Sequence, residues 1–113
     1  MDLELVKGEA RFEDRPLHGA LVELGNAVVA FFWEGEEPRL GTLTVTLPDR
    51  SSSPLLGDRD SQLARILGAQ LTALTGKIAL VSVNLPLGVG DAAGKALIQL
   101  TRELVGEVRE EDG

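Results

Sequence analysis

The sequence predicts an α+β fold: a mostly antiparallel sheet of five to six strands with two helices on one face, in the order β-β-β-β-α-β-α. Three observations predict it. Short apolar or alternating runs bounded by Gly, Pro and Asn fill the first half of the chain. Two longer segments in the second half repeat their apolar residues at helical spacing. A further short apolar run separates those two segments. Strands gathered ahead of helices suit helices stacked on an antiparallel sheet rather than a βαβ repeat.

Leu3 to Phe12 alternates loosely, and Asp14-Arg15-Pro16 predicts a turn, because Pro fixes φ and breaks pairing. Leu17 to Leu24 alternates clearly, with Ala20, Val22 and Leu24 on one face and Leu17, Gly19 and Leu21 on the other. Gly25-Asn26 is a two-residue hairpin signal. Ala27 to Trp33 is a continuous apolar run, rich in β-branched and aromatic residues. Thr42 to Leu47 alternates, with Leu43, Val45 and Leu47 opposite Thr42, Thr44 and Thr46. The Ser-, Pro- and Gly-rich stretch 48–58 reads as an irregular loop.

A helix is predicted to start near Arg59, with Asp58 or Asp60 as N-cap, an apolar stripe from Leu63 to Leu74, and Gly76 just past its end. Lys77 suits the negative end of that helix dipole. Ile78 to Leu85 is the next strand, and Pro86 to Gly90 is a turn. Asp91 then caps a second helix over about 92–109, and Glu110 to Gly113 reads as a frayed tail.

Ala27 to Trp33 sets the architectural question. Side chains alternate faces along a strand, so this strand is apolar on both sides and needs cover on both. Two helices roof one face. The expected division sends Val29, Phe31 and Trp33 toward the helices. Leu17, Leu21, Val28, Ala30, Phe32, Thr44 and Leu80 then form the other face. Left bare, that set exceeds an ordinary monomer patch, so it is the candidate interface of a homodimer packed sheet face to sheet face.

At 113 residues, positions 1–113 are read as one domain. No apolar run reaches the length of a membrane span, and the acidic Met1-Asp2-Leu3-Glu4 start lacks the basic residues of a secretory signal, so the expectation is a cytoplasmic protein without membrane partners. Cysteine is absent, which removes disulfides, thiolate catalysis and Cys-based zinc sites. A net charge of −7 repels phosphate backbones and argues against nucleic-acid partners. Scarce Asn and plentiful Arg and Glu lean toward a thermophile.

The candidate chemistry is thin. His18, the sole histidine, is a general-base candidate beside Asp14 and Glu23, or an exposed histidine near a turn. Gly88-Val89-Gly90-Asp91 resembles a phosphate-cradling turn but lacks the third glycine and the Lys, and its aspartate repels phosphate. Glu34, Glu36 and Glu37 form either a cation site or a solvated acidic loop. Ser51-Ser52-Ser53 comes with no base and no nucleophile elbow. Trp33 is either an interface anchor or a core residue at a strand end. No catalytic residues, cofactor or metal follow from these patterns, so the expectation is a protein that is not an enzyme.

Several segments follow one another in a set order: Phe32-Trp33-Glu34-Gly35, Pro38-Arg39-Leu40, Leu43-Thr44-Val45-Thr46-Leu47, Ser53-Pro54-Leu55-Leu56-Gly57-Asp58, Leu63-Ala64-Arg65, Leu74-Thr75-Gly76-Lys77 and Val81-Ser82-Val83-Asn84-Leu85. Taken in that order they resemble the proteasome assembly chaperone 3/4-like family, and eukaryotic proteasome assembly chaperone 4 most of all. The likeness spans roughly residues 17–110. The loop before Leu55 is shorter than in the eukaryotic chaperone, and Val83 stands where that family has an aromatic residue. These departures suggest an archaeal homologue that pairs with itself.

The resemblance implies a sheet with flanking helices, dimerisation, and binding to proteasome α-subunits during ring assembly, with no catalysis and no cofactor. Another class of archaeal proteasome partner docks a tail with a penultimate tyrosine; this chain has no tyrosine, so a folded surface has to serve. The candidate surface is the loop 48–58 with Arg50, Leu55, Leu56 and Asp58, followed by the acidic Glu34, Glu36 and Glu37. The alternative is a small-ligand-binding protein, or a structural subunit of another complex, with its site at the dimer interface.

Overall fold

The computed structural model describes residues 3–49, 51–86 and 90–112. The strands are β1 (Leu5–Phe12), β2 (Arg15–Glu23), β3 (Ala27–Glu34), β4 (Thr42–Thr46), β5 (Ser52–Leu56) and β6 (Ile78–Asn84). The helices are α1 (Ser61–Thr75), between β5 and β6, and α2 (Gly90–Asp112), after β6. The strands form one six-stranded sheet in the order β1-β2-β3-β6-β4-β5. Every neighbouring pair is antiparallel except β3 with β6, which is parallel. The α+β class, the mostly antiparallel sheet and the two helices agree with the sequence reading.

Strand order follows apolarity. The two strands richest in apolar residues, β3 and β6, lie side by side at the centre, where both edges of each are paired with other strands. β4 therefore pairs with β6 rather than with its sequence neighbour β3. α1 packs on β4 and β6, α2 packs on β1 and β2, and the helices touch each other. The core between this layer and the sheet includes Phe32, Leu17, Leu21, Leu67, Leu71, Leu97, Leu100 and Leu104, all essentially inaccessible. Burying a side chain such as Phe32 contributes about 1.5–3 kcal/mol.

Close approach of α1 depends on Gly68. A Cβ built there would overlap Thr46 Oγ1 and lie 3.1 Å from Thr46 Cβ. A helix glycine costs about 1 kcal/mol relative to alanine, and here it lets the backbone settle on β4. α1 ends as expected: Gly76 takes φ 72° and its N–H donates to Thr72 O at 2.8 Å. Its start differs. Asp60 holds the N-cap position at φ 63° without a side-chain capping bond, and its carboxylate lies 3.6 Å from Arg59. Lys77 also differs from expectation: its ammonium donates to Leu24 O at 2.6 Å and pairs with Glu23 at 2.8 Å, bridging to the β2–β3 turn. Arg109 reaches the same carboxylate at 3.2 Å, so Glu23 ties α2 to the sheet.

Three boundaries correct the sequence reading. The first turn is Glu13-Asp14, with φ 49° and 65°, the two positive values of a primed hairpin turn. Pro16 lies inside β2, opposite Arg11 and beyond the last residue paired with β3, where its missing N–H breaks no ladder. The stretch expected as a loop contains β5, so five strands precede α1 rather than four. A Pro-containing segment is tolerated there because β5 is an edge strand with one side unpaired. Helix α2 continues to Asp112 through the stretch expected to fray. The turn read at 86–90 lies mostly outside the described residues.

Candidate functional site: the open sheet face

Register shows which side chains share a face. Under the helices, Val6, Leu21, Ala30, Val81 and Thr44 form one row across β1, β2, β3, β6 and β4. The neighbouring row is Gly8, Gly19, Phe32, Val83 and Thr42. On the opposite face, which carries neither helix, the same strands contribute Leu5, Val22, Val29, Leu80 and Val45. The row beside it is Lys7, Ala20, Phe31, Ser82 and Leu43.

The expected division of faces is therefore reversed. Leu17, Leu21, Val28, Ala30, Phe32 and Thr44 lie buried beneath the helices, and of the expected interface set Leu80 alone is on the open face. Val29, Phe31 and Trp33 point away from the helices instead of toward them. The cause is size. The helix side has small residues at Gly8, Gly19, Ala30, Ala79, Thr44 and Thr46, and leucines of α2 fill the space over Gly8 and Gly19. The open side has the bulkier Val22, Val29, Phe31, Leu80, Leu43 and Val45. β4 shows the inversion plainly: its threonines are buried, while Leu43 and Val45 remain half-exposed. The hydroxyls of Thr44 and Thr46 have no hydrogen-bond partner among the described residues.

One end of the open face is partly roofed by the segment 35–41, which leaves β3 at Gly35 with φ 97°. It is pinned to β6 at two points. Gly41 N–H donates to Ser82 Oγ at 3.0 Å, and Asn84 Nδ2 donates to Leu40 O at 3.1 Å. A Cβ at Gly41 would overlap Val83 O, so only glycine allows this approach. Trp33 lies beneath, 7% exposed, with His18 stacked on it at 5.6 Å between ring centroids and 23° between planes. Trp33 Nε1 has no hydrogen-bond partner among the described residues. Between this segment and the sheet is a cleft of about 390 Å³, lined by Leu5, Lys7, Ala20, Phe31, Trp33, Pro38, Arg39 and Leu40.

The other sequence candidates are dispersed. Leu55 and Leu56 are exposed at 55% and 53% on edge strand β5, and Asp58 is exposed beyond its end. Arg50 and the Gly88-Val89 turn lie outside the described residues. His18 meets Trp33 and sits opposite Glu9, while Glu23, its expected acid partner, is engaged by Lys77 and Arg109. Glu34 lies 3.7 Å from Arg15, and Glu37 lies 3.4 Å from Arg39. No cluster of three or more His, Cys, Asp or Glu suited to a metal occurs among the described residues. No helix there is long and apolar enough to cross a membrane. Sequence reasoning missed the row through Leu5, Val22, Val29, Leu80 and Val45. Only knowledge of the strand order could have assembled it.

Comparison with solved structures finds the same architecture. A chain from the crystal structure of a novel chaperone complex for yeast 20S proteasome assembly superposes with a TM-score of 0.70. The match covers 100% of both chains at 13% sequence identity. At that identity the likeness shows a common fold. No protein-family model matches the sequence, and no curated protein matches it.

Proposed function

We propose that this chain is a non-enzymatic protein of the proteasome-assembly-chaperone type, acting in the cytoplasm as a homodimer that binds proteasome α-subunits through a folded surface. The open apolar face carries this reading. An aliphatic row crosses five strands on a side that neither helix covers. Six strands at about 4.8 Å spacing give a face roughly 24 Å wide and about 20 Å long. With side-chain relief, that approaches the roughly 800 Å² per partner of a standard interface. A second copy offers the same chemistry, and two such sheets pack face to face with the helices outside. The end-to-end likeness to a yeast proteasome-assembly chaperone chain supports the choice of client.

The exposed Leu55 and Leu56 on β5, beside Asp58, are the proposed contact with the client, because they lie on the free edge of the sheet, where Leu56 pairs with Leu43 at the margin of the self-association face. The test is co-purification with free proteasome α-subunits and with half-assembled rings. Capture of free subunits, lost with Leu55→Ser/Leu56→Ser, is the expected result. Absence of binding to both forms rejects the client.

A further inference from the structure

We infer that the cleft beneath the segment 35–41 is a binding site for a small apolar carboxylate. Its lining divides into two chemistries. Leu5, Ala20, Phe31, Trp33, Pro38 and Leu40 are apolar, while Lys7 and Arg39 are cationic and exposed to solvent. The concavity has a local cause. Ala20 is small between the longer Lys7 and Phe31, and the pinned segment raises a wall beside it. At about 390 Å³ the space falls in the range of small-molecule sites, which run from roughly 300 to 1,000 Å³.

Charge selects the ligand class. The chain carries a net charge of −7, yet the charged side chains lining this cleft are both cations. Lys7 has no ion-pair partner among the described residues. Arg39 meets Glu37 at 3.4 Å with both side chains largely exposed, a pair weak enough for an incoming carboxylate to replace. An apolar body in the cleft removes hydrocarbon from water, and a carboxylate at the rim meets the two cations. A neutral alcohol lacks the second contact, and an amine is repelled. The same chemistry is available from a free fatty or aromatic acid and from the C-terminal residue of a polypeptide. This inference does not depend on the choice of client, but the cleft shares Leu5, Lys7, Ala20 and Phe31 with the proposed self-association face, so a ligand and a second copy compete for it.

Trp33 is the sole tryptophan and lines the cleft, so intrinsic fluorescence of the full chain reads occupancy directly. The probes are octanoate, octanol, octylamine, N-acetylleucine and N-acetylleucinamide. A saturable change is expected with octanoate or N-acetylleucine and not with their uncharged or cationic counterparts. Tighter octanoate identifies a free acid as the ligand; tighter N-acetylleucine identifies a chain end. Lys7→Gln and Arg39→Gln, both at exposed positions, are each expected to weaken binding about threefold, and about tenfold together. Equal response to octanol, no saturable response to either acid, or unchanged affinity in the double variant overturns the assignment.

Discussion

Leu80→Asp distinguishes the two sheet faces and tests self-association directly. Leu80 is half-buried in the single chain, in the open-face row between Val29 and Val45. In an isolated chain a carboxylate there keeps partial contact with water but gives up the burial that Leu80 already has, so folding should lose about 2 kcal/mol. In a sheet-on-sheet dimer, the second copy would lose about 1 kcal/mol of remaining Leu80 burial and would trap an unpaired carboxylate at about 2 kcal/mol or more. Two-fold symmetry applies this twice, about 6 kcal/mol in all, which weakens the dimer roughly 10⁴-fold. The control is Phe32→Asp. Phe32 is 0% exposed in the helix-side core, so this variant should unfold the chain rather than release folded monomers. Sedimentation velocity at tens of micromolar gives the mass, and circular dichroism the fold. A wild-type monomer, or a Leu80→Asp dimer, would refute the assignment of the open face.

Three further outcomes follow from the packing and electrostatics. Thr44→Val, which removes a buried hydroxyl with no partner among the described residues, should stabilise the chain by about 1 kcal/mol in urea unfolding. Gly68→Ala should destabilise it by about 1–2 kcal/mol despite better helix propensity, because the new methyl meets Thr46; Thr46→Ala should recover part of that loss. The Ser51 hydroxyl and amide both donate to Asp49 Oδ1, at 2.6 and 2.8 Å, and hold its carboxyl below the ordinary aspartate range. A folded-state pKa below the unfolded one adds stability that is complete above the unfolded value and fades as pH falls through the folded value. An NMR titration should therefore find Asp49 ionised into the acid range, and Ser51→Ala should move its midpoint back up.

Much of the fold was legible because local periodicity reports local geometry. The β3 run, the alternation of Leu43 and Val45 against the threonines, and the α1 stripe ending at Gly76 all appear where the pattern placed them. Strand β5 was not legible. Ser-Ser-Pro-Leu-Leu lacks alternation and contains the residue least compatible with a sheet interior, and only an edge position beside β4 accommodates it. The cleft was equally hidden. Lys7, Ala20 and Arg39 carry no shared motif, and they come together only through β1–β2 pairing and the anchoring of Gly41 on Ser82.

The sequence by itself determined every element except β5, the partition of the other strands into two sets of side chains, and the excess of apolar surface that two helices cannot cover. The tertiary structure alone decided which set the helices cover. Alternation separates the faces of β3, but Val28, Ala30 and Phe32 are as apolar as Val29, Phe31 and Trp33. The choice rests on volume summed across strands distant in sequence. Glycines at 8 and 19, Ala30, Ala79 and the β4 threonines leave room for α1 and α2, and the bulkier Val29, Phe31 and Leu80 are turned outward.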